Sequence, residues 1–133
     1  MIQPARLPLV GNRYTPFVYS IAFRGLNLAG AAIEAMVRLY PDAPGEWIAK
    51  FNVTSNVVSD SGFPISTVTL TLSEAEMTAM PRAGEIGDPT ELAWDMVIQE
   101  RDPSQTDPNE PPKGAKYVPL NGPFIVNPGV THG

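Results

Sequence analysis

Residues 66–81, STVTLTLSEAEMTAMP, decide the fold, because a strand pattern passes there directly into a helix pattern. The first half alternates strictly, with Val68, Leu70 and Leu72 on one face and threonines on the other. This is the period of a half-buried β-strand, and β-branched residues favour strands. The segment therefore predicts a strand that places one apolar face against a core.

The second half of this segment predicts a helix start. Ser73 and Glu76 have the spacing of a capping box, in which each side chain accepts a hydrogen bond from the other residue's amide. Leu72 and Met77 flank this cap at the spacing of a hydrophobic staple. Pro81 ends the helix after about two turns. We therefore expect one short helix near residues 74–80, directly after the strand.

Length, composition and charge indicate one domain and exclude several classes of partner. A chain of 133 residues is long enough to bury its own core. It contains no cysteine, which rules out disulfides and thiolate chemistry. Its net charge of -5 argues against a nucleic-acid partner. No apolar run approaches the roughly 20 residues that span a bilayer, so we expect no membrane contact either.

Alternation predicts further short strands on both sides of the deciding segment. They are residues 17–23, 31–40, 46–53, 91–100, 117–120 and 124–126. Residues 31–40 also fit a helix, but their division into apolar and polar positions favours a strand, which would pair with 46–53 as a hairpin. Trp47 and Trp94 both fall on faces predicted to point into the core. Residues 59–64 are predicted to form a loop, and Gly122-Pro123 a turn.

Residues 1–16 are predicted to form an extended N-terminal arm outside the main domain, which would span 17–133. Prolines at three positions fix the backbone and remove donors, so this segment cannot pair as a central strand. A frayed terminus is one interpretation. The apolar content favours another, in which the arm lies on a neighbouring subunit. The predicted contact residues are Pro4, Leu7, Pro8, Leu9 and Val10.

Residues 101–116, RDPSQTDPNEPPKGAK, form a polar, proline-rich stretch between two strand-like segments. They predict a long protruding hairpin loop, and loops of this length tend to be functional or disordered. Asp102, Asp107 and Glu110 lack the spacing of a calcium loop. We therefore predict a contact loop without a metal. Its predicted contact residues are Pro103, Asp107, Pro108, Pro111 and Pro112.

The sequence gives no positive signal for an enzyme. His132 is the only histidine and the penultimate residue, so a Ser–His–Asp triad is implausible. There is no phosphate-binding glycine loop and no pair of ligands at metal spacing. Asp95 could serve a hydrolase, but a mid-strand carboxylate more often bonds a neighbouring strand or the backbone. We expect no catalytic residue, no metal and no cofactor.

Four segments of the chain, taken in order, carry a resemblance to a known family. They are Leu28-Ala29-Gly30-Ala31, Thr71-Leu72-Ser73 with Thr78, Ala93-Trp94-Asp95, and residues 122–126 followed by Val130-Thr131. Together they resemble small β-sandwich domains of tailed-bacteriophage virion proteins, similar to the amino-terminal domain of the siphophage baseplate upper protein. The loop at 101–116 departs from that family, because it is longer and richer in proline.

The resemblance implies an all-β fold, an antiparallel sandwich of immunoglobulin-like or jelly-roll-like type, here with seven to eight strands and one helix. It also implies a virion structural protein of the tail, baseplate or head, assembled in the bacterial host cytoplasm. Its partners would be other virion proteins and copies of itself, in a symmetric homo-oligomer. The alternative is a carbohydrate- or receptor-binding module. That module would need exposed aromatic residues, for which the candidates are Tyr14, Tyr40, Trp47 and Tyr117.

Overall fold

The computed structural model describes residues 4–41, 45, 47–82 and 87–128. Within them the chain forms nine strands and one helix. The strands are β1 (Ala5–Arg6), β2 (Leu9–Asn12), β3 (Phe17–Arg24), β4 (Ala32–Arg38), β5 (Ala49–Lys50), β6 (Asn52–Asp60), β7 (Phe63–Leu72), β8 (Thr90–Gln99) and β9 (Lys116–Asn127). The helix, α1, spans Glu74–Thr78.

The strands form two sheets, so the predicted all-β, sandwich-like fold is confirmed. The larger sheet has the order β1-β9-β8-β4-β5, with β2 beside β1 on the same edge of β9. The smaller sheet has the order β3-β7-β6. Most neighbours are antiparallel, as predicted, but β1 and β2 run parallel to β9. The larger sheet is therefore mixed rather than purely antiparallel.

The core between the sheets is built on aromatic rings. Phe124 makes edge-on contacts with Phe17 and Phe51, at centroid distances of 5.2 and 5.7 Å. Phe51 in turn meets Trp94 edge-on at 6.3 Å. Such pairs add stability beyond the area they bury. The inward position predicted for Trp94 is confirmed, since only 1% of its surface is exposed.

The deciding segment folds as its sequence predicts. The apolar face of β7 is buried, and α1 follows it after a single residue. The Glu76 amide donates to the Ser73 hydroxyl at 3.1 Å, and the Ser73 amide donates to the Glu76 carboxylate at 3.0 Å. Met77 and Leu72, the predicted staple pair, are both buried in the core. The capping box and the short helix are confirmed.

The predicted loop at 59–64 and the predicted turn at Gly122-Pro123 are both wrong. Strands β6 and β7 continue to a two-residue turn at Ser61 and Gly62, where φ is 51° and 87°. Two central residues with positive φ match the twist of a tight hairpin. Strand β9 runs unbroken through Gly122, where a Cβ atom would lie 2.6 Å from the Leu7 carbonyl oxygen. This glycine therefore permits a close backbone contact rather than a turn.

The segment 31–40 is a strand, as favoured, but the hairpin that follows it is shorter than predicted. Only Ala49 and Lys50 pair with β4, and the chain then crosses at Phe51 into the smaller sheet. Trp47 precedes this short pairing and is 45% exposed, so the inward position predicted for it is wrong. The predicted strand 46–53 is thus divided between two sheets. Residues 42–44 of the intervening turn lie outside the described residues.

The domain boundary predicted at residue 17 is also corrected. Residues 5–6 and 9–12 pair with β9 of the same chain, so they belong to the larger sheet rather than to a separate arm. The prediction that this segment cannot form a central strand holds, because it lies at the edge of its sheet. The edge is interrupted at Pro8, which has no N–H to donate.

Candidate interaction surfaces

The N-terminal segment is divided between the core and the surface. Leu9 is 1% exposed and packs in this chain's own core, so it is not available to a neighbour. Leu7 is half-buried, and its carbonyl accepts a 2.8 Å hydrogen bond from the Trp94 indole N–H. Pro4, Pro8 and Val10 are exposed. Strand alternation explains the split, because successive side chains point to opposite faces.

The long loop leaves and rejoins the sheet at the paired ends of β8 and β9, as predicted for a hairpin connection. At its base, Glu100 N–H donates to the Ala115 carbonyl at 2.8 Å, and Gly114 N–H donates to the Glu100 carbonyl at 2.7 Å. Most residues beyond this base are exposed. The loop is therefore surface structure outside the core.

One amide side chain, Gln105, holds the two halves of the loop together. Its Oε1 accepts hydrogen bonds from the amides of Asp102 and Lys113, at 3.0 and 2.9 Å. Its Nε2 donates to the Pro111 carbonyl at 2.9 Å. The residues that it joins are up to eleven positions apart, from 102 to 113. These bonds fix the shape of the loop without any contribution from the core.

Two further side chains fix the two halves of the loop. The Arg101 guanidinium donates to the carbonyls of Glu110, at 3.1 Å, and Asp107. The Asp102 carboxylate accepts from the amide and the hydroxyl of Ser104, at 2.9 and 2.8 Å. The Ser104 amide, and then its hydroxyl, lower the pKa of Asp102 below its ordinary value. The first half of the loop is thus a turn stabilised by an ionised carboxylate.

The loop residues predicted for contact differ in exposure. The exposed members are Pro103, Asp107, Pro108 and Pro111, whereas Pro112 is half-buried. Asp107 also accepts a 2.9 Å bond from the Asn109 amide, so its carboxylate has a local structural role. Contact between this surface and a partner stays a prediction.

The aromatic residues named for a carbohydrate site differ in exposure and in their hydrogen-bond partners. Tyr40 and Trp47, which are 51% and 45% exposed, lie at the end of the β4–β5 hairpin. Tyr14 is 39% exposed and accepts a 2.9 Å hydrogen bond from Arg82. Tyr117 is half-buried, and its hydroxyl donates to the Glu100 carboxylate at 2.6 Å. Its burial, and then this carboxylate, raise the pKa of Tyr117 above the ordinary range.

A shallow groove adjoins the exposed Trp47. It lies between β5 and α1, and its walls include Ile48, Glu76, Ala79 and Met80. The groove and the indole together form a concave surface with apolar walls near the hairpin end. The sequence placed Trp47 on a core-facing position and also named it among the aromatic candidates for a carbohydrate site, but it did not reveal the groove, because α1 and β5 are distant in sequence.

Asp95, the carboxylate considered for hydrolysis, bonds a neighbouring strand, as favoured from the sequence. Its Oδ2 lies 3.1 Å from Nε of Arg38 on β4, and both side chains are about one-quarter exposed, at 25% and 23%. Within the described residues, no three acidic or histidine side chains form a group that could hold a metal ion. No helix in the same ranges has the length and apolar character to cross a membrane. His132 lies outside the described residues.

Three exposed apolar side chains on the smaller sheet were not singled out from the sequence. Val18, Val58 and Phe63 are 65%, 49% and 57% exposed, and the strand registers place all three on its outer face. Alternation in β3 does predict Val18 on the face opposite Phe17. The sequence holds a second indication of an uncharged outer face on β3, since residues 17–23 contain no charged side chain.

No protein-family model matches this chain, and no curated protein matches it.

Proposed function

We propose that this chain is a non-enzymatic structural protein of a tailed-bacteriophage virion, a component of the tail, baseplate or head. The observation that supports an assembly role is the loop at 100–115, which is exposed yet held by its own hydrogen bonds. A surface whose shape is already fixed loses little conformational entropy on docking. The virion setting comes from the resemblance of the four sequence segments.

The contacts of such a subunit would be made by the loop and by the exposed part of the N-terminal edge. On the loop, Pro103, Pro108 and Pro111 present rigid, apolar surface. On the edge, Pro8 and Val10 do the same. The partners are other virion proteins and copies of the chain in a symmetric assembly. The protein assembles in the bacterial host cytoplasm and remains in the virion.

The first test is the presence of the protein in virions. Mass spectrometry of purified particles from the bacteriophage that encodes the chain is expected to detect it in a fixed ratio to the major tail or head proteins. Genes for tail-tape, portal or capsid proteins are expected beside its own gene. Absence of the protein from intact particles would contradict the proposal.

The second test addresses the loop. Gln105→Ala removes the four hydrogen bonds that the Gln105 side chain makes within the loop, and Thr106→Ala is the matched control at the next, exposed position. Both variants are expected to fold with unchanged thermal unfolding of the core. In particles produced from a gene deletion complemented with each variant, Gln105→Ala is expected to be incorporated several-fold less than the control. Equal incorporation would show that the shape of the loop does not matter for assembly.

The alternative function, a carbohydrate- or receptor-binding module, is favoured by the exposed Tyr40 and Trp47. An exposed aromatic ring beside an apolar groove can stack on the face of a sugar. A glycan array, followed by titration of tryptophan fluorescence with any sugar that binds, tests this function. Binding lost in Trp47→Ala but kept in Tyr14→Ala would support it, whereas an array without signal would count against it.

A further inference from the structure

The edges of the two sheets differ in how they are protected from strand addition. In the larger sheet, one edge is interrupted at Pro8 and the other ends in β5, which has only two residues. In the smaller sheet, both edges are long, with eight residues in β3 and nine in β6. Short or proline-broken edges discourage pairing with another chain, and a long open edge favours it. The smaller sheet therefore has two candidate pairing edges.

The two strands carry equally little charge of their own, since β6 is uncharged from Asn52 to Ser59, but they differ in the charged side chains that border them. The start of β6, at Asn52 and Val53, borders a groove whose walls include Glu34 and Lys50, and Lys50 Nζ lies 3.5 Å from Glu34 Oε1. An added strand would have to displace or desolvate this pair. The edge of β3 carries no charge from Phe17 to Phe23, and its one charged residue, Arg24, is at the end. Between Phe17 and Phe23, β3 therefore lacks the charged side chains by which edge strands usually prevent pairing with another chain.

The backbone groups at the free edge of β3 follow from its register with β7. Gly25 N–H donates to the Pro64 carbonyl at 2.7 Å, and the register continues from there without a bulge. In an antiparallel ladder, hydrogen-bonded pairs alternate along the strand. The alternate residues Val18, Ser20 and Ala22 therefore direct their N–H and C=O groups away from β7, toward the open edge. The Ser20 hydroxyl bonds Thr69 at 2.9 Å, across the sheet, and does not block that edge.

We propose that two copies of this chain pair through β3, antiparallel and about a twofold axis at Ser20, so that two smaller sheets become one continuous sheet. In this register Ser20 lies opposite Ser20 of the partner subunit, and Val18 lies opposite Ala22 of the partner subunit. Each of these residues has both backbone groups free, so every pair forms its two hydrogen bonds. The proposal names a contact between copies and does not depend on the virion assignment.

The symmetric register also suits the side chains and the charge of the chain. Val18, 65% exposed in one copy, gains an apolar neighbour on the outer face of the joined sheet. The two Arg24 side chains lie at opposite ends, each beside Pro16 of the partner subunit, so like charges do not meet. A strand that complements itself in this way is what an isologous interface requires. A second copy is therefore the occupant that fits this edge.

The first experiment places a charge at the edge. Ala22→Lys adds an exposed lysine to β3, and Thr54→Lys adds one to the same face of the sheet on β6. Sedimentation velocity is expected to show a dimer for the unmodified chain and for Thr54→Lys. Ala22→Lys is expected to raise the dimer dissociation constant on the order of a hundredfold, while its unfolding midpoint as a monomer stays unchanged. A chain that remains monomeric into the millimolar range, or equal effects of the two lysines, would overturn the proposal.

The second experiment tests the register and does not rely on disrupting the contact. The chain has no cysteine, so Ser20→Cys introduces a single thiol at the proposed twofold axis. Mild oxidation is expected to convert Ser20→Cys to a disulfide-linked dimer at concentrations where Thr54→Cys remains monomeric. A dimer that forms but does not cross-link through position 20 would place the contact elsewhere and overturn the pairing through β3.

Discussion

Arg13 shows how a single side chain completes an element distant in sequence. It is the one buried charged residue in the described part of the chain, with 3% of its surface exposed. Its guanidinium donates to the carbonyls of Thr78, Met80 and Pro81 at 3.1, 2.6 and 3.1 Å. The last carbonyls of a helix have no partner within the helix, and a cation there also complements the helix dipole. Arg13 therefore caps the C-terminal end of α1.

Replacement of this cap is expected to destabilise the fold. Arg13→Met keeps an apolar stem but removes all three hydrogen bonds, and it leaves the buried acceptor among them, the Met80 carbonyl, without this donor. We expect the free energy of unfolding to fall by about 2–4 kcal/mol, measured by urea denaturation. Arg82→Met is the control, because Arg82 is exposed and donates a side-chain hydrogen bond to Tyr14, rather than to the carbonyls at the end of α1. Its expected loss is within about 0.5 kcal/mol. Similar losses in both variants would mean that Arg13 is not a cap.

The two ends of α1 also show what a sequence can reveal at the scale of residues. The N-terminal cap was predictable, because Ser73 and Glu76 lie three positions apart and need no information about the rest of the chain. The C-terminal cap was not, since 65 or more positions separate Arg13 from its acceptors. Local hydrogen bonds are readable from spacing. Hydrogen bonds between distant parts of the chain depend on the topology of the fold, which the spacing of residues in the sequence does not reveal.

At the scale of elements, alternation predicted the faces of strands better than their sheets. It placed Trp94 in the core and identified β4 as a strand. It treated 46–53 as one strand, but Phe51 is a crossing point between two sheets. Alternation reports which side of a sheet a residue faces. It does not report where a strand begins or which sheet supplies its hydrogen bonds, and Trp47, which precedes β5, was therefore wrongly assigned to the core.

The N-terminal strand β2 gives a matched pair of positions that tests its place in the domain. Leu9 is 1% exposed and its neighbour Val10 is 55% exposed, although both are aliphatic residues of one strand. Leu9→Ala is expected to lower the free energy of unfolding by about 2–5 kcal/mol, because it opens a cavity in the core. Val10→Ala is expected to change it by about 0.5 kcal/mol or less. Urea denaturation of the isolated chain tests whether β2 belongs to the domain. If it were a detachable arm, both substitutions would change the free energy of unfolding only slightly.

At the scale of the whole molecule, the contact surfaces were only partly predictable. The loop at 101–116 was identified because its composition differs from that of the strands around it. The position of the N-terminal segment could not be predicted from the sequence, because its parallel pairing with β9 brings together the two ends of the described chain. The open edge of β3 becomes a candidate only when the sheet order is known. A strand without charge is ordinary in the centre of a sheet and unusual at its edge.

The net charge of the chain predicts how salt affects the stability of the dimer proposed through β3. Each copy carries a net charge of -5, so two copies repel each other at low ionic strength. The pairing strand itself has no charge between Phe17 and Phe23. Added salt therefore screens the repulsion and has no ion pair in the contact to weaken. Between low and physiological salt, we expect the dimer dissociation constant to fall about two- to tenfold, measured by sedimentation equilibrium. A dissociation constant that rises with salt would indicate a contact held by ion pairs, and the uncharged edge of β3 could not then be its centre.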